Sequence, residues 1–411
     1  MNPESAAYYK LYLEGLLDMV RIANTDHDEE DLISIYKFIL ISHLKLDKFA
    51  LVVREGETWV TRVQYGLEMQ QPDFEGHLAI HTLKKSGRMR LEVGSAALGD
   101  FNFLVPSLQQ MKGGKSRDST LTACLFLAGV SDDMAGNKNL ILFLETITQL
   151  VNLAIYNKRL LINEINQREY EKELEIATVV QRNLLPKVLP ASEAFTVLAV
   201  SRAYKGVSGD YYDCIKLGPH KYLICLADVT GKGLPASILM ANFQASLSIL
   251  ARIYSDLEQL ATELNRIIFE NTGGEQFITA FFGTIDLEHG VIYYLNAGHP
   301  AMVGSIDGAG PIKLDSNCTI LGALPELPVM KANAIGFEKR AQFIGVTDGV
   351  EEMTNAAGDY FGLGPLEELF MEEDLPTLEA IFSGYLAEID AYKGDVQLAD
   401  DMTVLAFAAQ R

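Results

Sequence analysis

Between Ile141 and Leu185 the chain contains neither proline nor glycine, the two residues that most readily interrupt a helix. A run of that length predicts one continuous helix, with separate bodies folding on either side of it. Within it, Lys158 to Glu175 is densely charged, and Leu161, Ile162, Ile165, Tyr170, Leu174, Ala177 and Leu184 form a thin apolar seam. Such a seam suits a helix that pairs with a second copy of itself. A single solvated linker helix would carry the same pattern. Pro186 and Pro190 end the run. A length of 411 residues is more than one typical core accommodates and agrees with two flanking bodies.

The formal net charge of -21 repels polyanions, which argues against non-specific binding to nucleic acid or to an acidic membrane surface. It also disfavours an acidic substrate unless something local reverses the field. Cys124, Cys214, Cys225 and Cys318 are scattered with no C-x-x-C pair, so neither a zinc knot nor a disulfide framework is indicated, and a reducing compartment fits. The start, Met1-Asn-Pro-Glu-Ser5, lacks the basic residues and apolar run of a signal peptide, and no later stretch reads as apolar for long enough to cross a bilayer. The expectation is a cytoplasmic protein with no membrane span.

Before the long helix, Asp31 to His43 reads as helical, with Ile33, Ile35, Phe38, Ile39 and Leu40 near one face. Phe49 to Arg54 and Thr58 to Val63, joined by Glu55-Gly-Glu57, read as a β-hairpin, and Leu121 to Ala128 as a further strand. The order helix, hairpin, strands and exit helix resembles a GAF sensory domain, and "ILFLETITQLVNLAIYNKRLL" is similar to the exit helix of that family. Beyond Phe195 the texture changes to short β-like runs with glycine turns. Tyr222 to Ala227, Phe277 to Ile285, Val291 to Leu295, Ala341 to Val346 and Thr403 to Ala408 read as strands. Leu234 to Tyr254 and Leu257 to Glu270 read as helices. Many strands with helices grouped between them predict an α+β class, with helices covering packed sheets.

Five carboxylates stand at the mouths of these strands: Asp210, Asp228, Asp348, Asp400 and Asp401. Histidine and cysteine are missing from these spots, and an oxygen-only set suits Mg²⁺ or Mn²⁺ rather than zinc or copper. Two such ions would bind a phosphate and lower the pKa of a shared water. Taken singly, each acid has a plainer reading: Asp348-Gly349 is a turn signal, Asp400-Asp401 can cap a turn, and Asp213 reads as a turn residue. Recurrence of one arrangement across the C-terminal half favours the metal reading.

The motifs "SGDYYD", "LADVTGKGLPASILMA", "YLNAGHPA", "GVTDGVEEM", Phe361-Gly362 and "DDMTVL" occur in the order seen in metal-dependent serine/threonine phosphatases of the PPM class. The chain resembles the bacterial SpoIIE/RsbU-like branch of that class from roughly Ala194 to Ala408, and "VVQRNLLPKVLP" is similar to the linker that precedes its catalytic domain. The resemblance implies a β-sandwich flanked by helices that holds two Mn²⁺ or Mg²⁺ ions. Asp228 would bridge them, with the Val229 carbonyl as a backbone ligand. Asp210 would serve the first ion, Asp348 and Asp400 the second, and Asp401 would hold a further ion or order water. It also implies metal-activated water attacking a phosphoserine or phosphothreonine on a small regulatory protein, such as an anti-sigma-factor antagonist in a partner-switching pathway. Departures are Ser208 where the family usually has a glycine, Glu338 to Phe343 where it commonly has Gly-Asp, and no arginine beside the metal motifs to clamp a phosphate.

Other candidates are weaker. His299 could donate a proton to a leaving alkoxide, or simply hold a tight turn before Pro300. Thr230-Gly-Lys-Gly233 lacks the Walker spacing and does not predict nucleotide binding. Asp26 to Asp31 reads as an acidic helix start after Thr25. The resulting expectation is a GAF-like sensory and dimerisation domain over residues 1–156, a helical linker over 157–193 and a phosphatase domain over 194–411, forming a homodimer through linker and sensor. The rival expectation is a dimeric scaffold that binds a phosphoprotein without hydrolysing it.

Overall fold

The computed structural model of the chain describes residues 3–23, 28–56, 58–66, 89–90, 101–110, 119–204, 206–328, 330–371 and 376–411. It divides into two units, Met1–Arg168 and Glu169–Arg411. Met1, Asn2, Thr25, Asp26, His27 and Glu57 lie outside the described residues.

The first unit comprises α1 (Pro3–Ala23), α2 (Glu29–Phe38), β1 (Phe49–Glu55), β2 (Thr58–Tyr65), β3 (Met89–Arg90), β4 (Phe101–Gln110), β5 (Ser119–Ala128), α3 (Asp132–Gly136) and the first part of α4 (Lys138–Arg182). Asp28 caps α2 by accepting from the Asp31 amide at 2.8 Å, one of the orphan donors at a helix start. The strands form one antiparallel sheet in the order β2-β1-β5-β4-β3. Phe49, Leu51, Val53, Ala123, Leu125 and Leu127 alternate along β1 and β5 and share one core with Leu32, Tyr36 and Leu40, and with Phe143, Leu144, Ile147, Val151 and Ile155 of α4. That spacing, two along the strands and three or four along the helix, is what brings both elements to one core. Arg159 of α4 pairs with Glu29 at 2.7 Å and with Glu55 at 3.1 Å, and Arg62 joins both acids, so α2, the hairpin and α4 share a half-buried charge cluster.

The second unit continues with β6 (Phe195–Arg202), β7 (Tyr211–Gly218), β8 (Lys221–Val229), α5 (Leu234–Ile253), α6 (Leu257–Thr272), β9 (Ile278–Asp286), β10 (Val291–Ala297), β11 (Met302–Ile306), β12 (Ile312–Leu314), β13 (Asn333–Gly336), β14 (Arg340–Val346), α7 (Asp348–Glu351), α8 (Gly364–Leu369), α9 (Leu378–Lys393) and β15 (Met402–Gln410). One sheet runs β13-β10-β9-β8-β7 and the other β12-β11-β14-β15-β6. Ile224, Leu226, Phe281 and Ile292 of the first sheet meet Phe195, Val197, Phe343, Leu405 and Phe407 of the second in a shared core. The alternate residues Leu223, Cys225 and Ala227 turn outward onto Met240, Phe243, Leu260 and Leu264 of α5 and α6. Ile344, Val346, Val404 and Ala406 turn outward onto Leu366 of α8 and Ile381, Tyr385 and Ile389 of α9. Both sheets are therefore covered on both faces, which explains why their central strands read as unbroken apolar runs.

Two points of the sequence reading change. By length and composition, α4 and α5 are both apolar enough to cross a membrane, against the expectation that no stretch is. α5 buries Met240, Phe243 and Leu247 in the core of its own unit, and α4 buries Leu144, Ile147 and Val151 in the first unit's core. The Asp348-Gly349 pair opens the short helix α7 after Thr347 rather than making a hairpin turn.

Tyr36 and Thr148 are fully buried and share a hydroxyl hydrogen bond of 2.8 Å between α2 and α4. Tyr36→Phe leaves Thr148 without that partner, and the expected loss is about 1–3 kcal/mol. Urea denaturation followed by the fluorescence of Trp59, the single tryptophan and a residue of β2, reads this unit and should show a lower midpoint at unchanged slope.

Candidate active site

Antiparallel pairing delivers the acids to one end of the sandwich. Tyr211 pairs with Ala227, so Asp210, just before β7, stands beside Asp228 near the end of β8. In the other sheet Val346 pairs with Val404, which sets Thr347 and Asp348, after β14, beside Asp400 and Asp401, before β15. Two glycines allow the approach. A Cβ on Gly349 would lie 1.9 Å from the Asp401 carbonyl oxygen, and one on Gly209 would lie 3.0 Å from that of Val229. Any side chain at Gly349 would force these loops apart.

Hydrogen bonds then fix the loop that carries Asp210. The Thr347 hydroxyl donates to Asp210 Oδ2 at 2.9 Å and accepts from the Thr403 amide at 2.9 Å. Asp401 accepts from the Tyr204 amide through Oδ1 and from the Gly209 amide through Oδ2, each at 2.7 Å. Both of its oxygens therefore anchor backbone, which makes Asp401 a tie for the loop that carries Asp210. Gln181, near the end of α4, accepts from the Ser208 amide at 2.8 Å through Oε1 and donates through Nε2 to the Ser208 carbonyl. Asp213 accepts from the Tyr211 hydroxyl and the Cys214 amide, both at 2.7 Å, and serves its strand.

The electrostatics mark the same place. Asp210 is 2% exposed, and its Oδ1 is buried without a hydrogen-bond partner. Burial, above all, raises the carboxyl pKa of Asp210, and Asp401 and Asp348 add to the rise against hydrogen bonds from Thr403 and Thr347. Asp228 is raised by burial and then by the charges of Asp210 and Asp348, and Asp348 by burial and then by Asp400. Asp210, Asp228 and Asp348 are thus each raised by burial and by neighbouring carboxylates, and perturbed groups of this kind cluster at functional sites. Lys232, from the turn after Asp228, places Nζ 2.8 Å from Asp400 Oδ2.

An orphaned buried carboxylate oxygen in an all-oxygen donor set fits a hard divalent cation. Asp210, Asp228, Asp348, Asp400 and the Val229 carbonyl are the groups available to hold it. Among the described residues, no three His, Cys, Asp or Glu side chains are gathered tightly enough to hold an ion as they stand, so the acids share an electrostatic site without forming a closed cage. His299 is enclosed: Nδ1 meets the Thr279 hydroxyl at 2.9 Å, the backbone amide donates to Asn296 Oδ1 at 2.8 Å, and burial pulls the imidazole pKa down to about 3. It is a neutral internal residue of the β10–β11 turn, which favours the structural of its two readings. Sequence reasoning passed over Gln181, Thr347 and Lys232. Each lies inside a motif already singled out, and the signal available was a polar side chain one to four residues from a strand-end acid or a helix end.

Residues 218–410 match the family model described as stage II sporulation protein E (SpoIIE). Phosphoserine phosphatase RsbU of Bacillus subtilis (strain 168) is 28% identical over 240 residues, covering 58% of this chain and 70% of RsbU. Protein IcfG of Synechocystis sp. is 27% identical over 285 residues, covering 61% of this chain but 43% of IcfG. Phosphoserine phosphatase RsbP of Bacillus subtilis (strain 168) is 24% identical over 188 residues, covering 45% of this chain and 46% of RsbP. The matches thus span less than half the length of IcfG and of RsbP. Among solved structures, the SiaA-PP2C domain of Pseudomonas aeruginosa superposes with a TM-score of 0.52 at 20% identity, over 59% of this chain and 98% of that domain. The fold of the second unit is therefore PP2C-like.

The raised carboxyls set a sign for stability. A carboxyl whose folded pKa exceeds its unfolded value, near 3.9, favours the folded state most at low pH and loses that advantage as pH rises through the interval between the two. For Asp210 and Asp228 the interval runs upward from the ordinary carboxylate range. In EDTA at pH 7.5, Asp228→Asn should therefore stabilise the second unit by at least about 1.4 kcal/mol, the worth of one pKa unit. Calorimetric unfolding should show the gain shrinking as the pH is lowered toward 4.5.

Proposed function

We propose, from the premise that the C-terminal unit is a PP2C-type phosphatase domain of the SpoIIE family, that the chain is a protein serine/threonine phosphatase acting on a small regulatory phosphoprotein. The observation that carries this is the meeting of Asp210, Asp228, Asp348 and Asp400 at one end of the sandwich, each supplied by the end of a different strand or the loop next to it. Relatives named as phosphoserine phosphatases support phosphoserine as the group attacked. A partner-switching protein such as an anti-sigma-factor antagonist is the substrate we assign on that kinship.

Mn²⁺ or Mg²⁺ ions held by Asp210, Asp228, the Val229 carbonyl, Asp348 and Asp400 would supply a water of lowered pKa and offset the phosphate charge. Hydrolysis adds water across the phosphorus–oxygen bond and returns a serine or threonine hydroxyl and inorganic phosphate. The chain's part in this is positioning. Thr347 orients the Asp210 carboxylate, Asp401 holds the Gly209 amide beside it, and Gln181 secures Ser208 from the end of α4.

The N-terminal unit is assigned as a GAF-like sensory domain and the protein as a cytoplasmic homodimer. Leu161, Ile162, Ile165 and Tyr170 on α4 are all more than half exposed, which supports pairing of that helix with a second copy. Regulation would act where Gln181 meets Ser208, by shifting the loop of Asp210 between arrangements of differing metal affinity.

Phosphate release from a phosphoserine peptide, with and without Mn²⁺, tests the assignment. Activity should require the metal and fall by at least about 100-fold in Asp228→Asn and Asp400→Asn, the scale for losing a charge-stabilising group. Gln181→Ala should raise the Mn²⁺ concentration for half-maximal activity while leaving the maximum within about threefold, since it removes a loop tie worth about 1 kcal/mol and no ligand. A wild-type chain that binds the phosphopeptide without turnover would favour the scaffold.

A further inference from the structure

The site poses an electrostatic problem that its acids alone do not solve. A phosphomonoester dianion has to enter a mouth built from four aspartates, on a chain of net charge -21, and no arginine stands in the motifs that supply them. Lys232 sits at that mouth. Its ammonium donates to the Ala399 carbonyl at 2.7 Å, pairs with Asp400 Oδ2 at 2.8 Å and lies 5.5 Å from the centroid of the Tyr204 ring. Among the described residues, it is the one lysine or arginine ion-paired with any of Asp210, Asp228, Asp348 and Asp400.

The local backbone places it there by construction. Gly231 and Gly233 flank the lysine at φ +94° and +75°, conformations that L side chains resist. The turn is pinned by Thr230, whose amide and hydroxyl both donate to the Phe277 carbonyl at 3.0 Å. Lys232 therefore emerges four residues after Asp228 from a turn with few alternatives and reaches across to the opposite sheet's Asp400. An ammonium carries three donors. Two have partners here, and the side chain is 53% exposed, so one donor remains for an oxygen arriving from solvent. Its charge also acts on Asp348, which places it toward the Asp348 and Asp400 side of the mouth.

We propose that Lys232 is the phosphate-binding residue of this site: it contacts a non-bridging oxygen of the phosphomonoester and holds the phosphoryl group against the Asp348 and Asp400 side. The inference rests on the phosphatase reading. It deepens that reading by giving substrate recognition to a residue separate from the carboxylates. The flexible side chain and single point charge suit a tetrahedral phosphate presented on an exposed peptide, where no planar bidentate fork is required.

The test uses the full chain with Lys232→Met and Lys232→Arg, each checked by circular dichroism for an unchanged melting profile. At saturating Mn²⁺, Lys232→Met should raise both KM for a phosphoserine peptide and the inhibition constant of inorganic phosphate by about tenfold, the scale of one charge-assisted hydrogen bond. Lys232→Arg should recover most of that loss, and the Mn²⁺ half-saturation should stay within about threefold, as expected when every carboxylate that would hold the metal is kept. An unchanged phosphate inhibition constant in Lys232→Met overturns the proposal. So does a shift in Mn²⁺ half-saturation as large as the shift in KM, which would confine Lys232 to balancing Asp400. Should the wild type show no turnover, the phosphatase reading itself fails. Calorimetric titration of inorganic phosphate into Mn²⁺-loaded wild type and Lys232→Met then decides the role of the lysine, with equal affinities overturning it.

Discussion

The stitch between the two sheets at Thr347 and Asp401 is the interaction on which the rest of the site depends. Thr347 directly follows β14 and bonds Asp210, which directly precedes β7 in the other sheet. Asp401, just before β15, reaches the same loop through the amides of Tyr204 and Gly209. A carboxylate accepting from two amides makes charge-assisted bonds of about 1.5–3 kcal/mol each, enough to hold a loop whose own acid is disfavoured by burial. Without these ties the shared apolar core would still align the sheets, because Phe343, Phe407 and Phe281 are interior residues, but nothing would fix Asp210 relative to Asp348.

That stitch holds together groups that repel one another. Asp210, Asp228 and Asp348 are all displaced upward by burial and by neighbouring carboxylates, so the folded state carries a cost concentrated at one end of the sandwich. The rest of the unit offsets it with two sheets covered on both faces. Local destabilisation at a site, supported by well-packed surroundings, is the usual relation between function and stability. Gly349 belongs to the same logic: the loop bearing Asp348 can approach the backbone of Asp401 only where there is no side chain.

Much of this was legible in the sequence, and the limits are physical. Long elements with one strong pattern could be read directly: α4 from its lack of proline and glycine, β8 and β15 from apolar runs, α5 and α6 from helical spacing. The acids were legible because strand ends followed by glycine recur in one order. Short elements were not: β12 spans Ile312–Leu314 and β13 Asn333–Gly336, too few residues for a period to show. The helix α9 carries Ile381, Tyr385 and Ile389 on its core face, but Gly384 in its middle weakens the local signal. The roles of Asp401, Lys232 and Gln181 were hidden for another reason. Each is defined by a partner distant in the chain, and no spacing rule states that Asp401 will meet Gly209 or that Lys232 will meet Asp400.

Gln181 carries this furthest. It lies on the same unbroken helix whose earlier turns build the N-terminal core, and its amide side chain grips both backbone groups of Ser208, two residues before Asp210. A primary amide matched to a peptide unit on both its donor and its acceptor side is sensitive to rotation of the helix that bears it, because turning the side chain away breaks both bonds together. Thr178 and Leu174, one and two turns earlier, lie against Gly206 of the same loop, so the contact spans two turns of the helix. Rotation of this part of α4 would therefore be felt directly at the loop of Asp210. A direct contact asks less of the intervening structure than a chain of packed residues does.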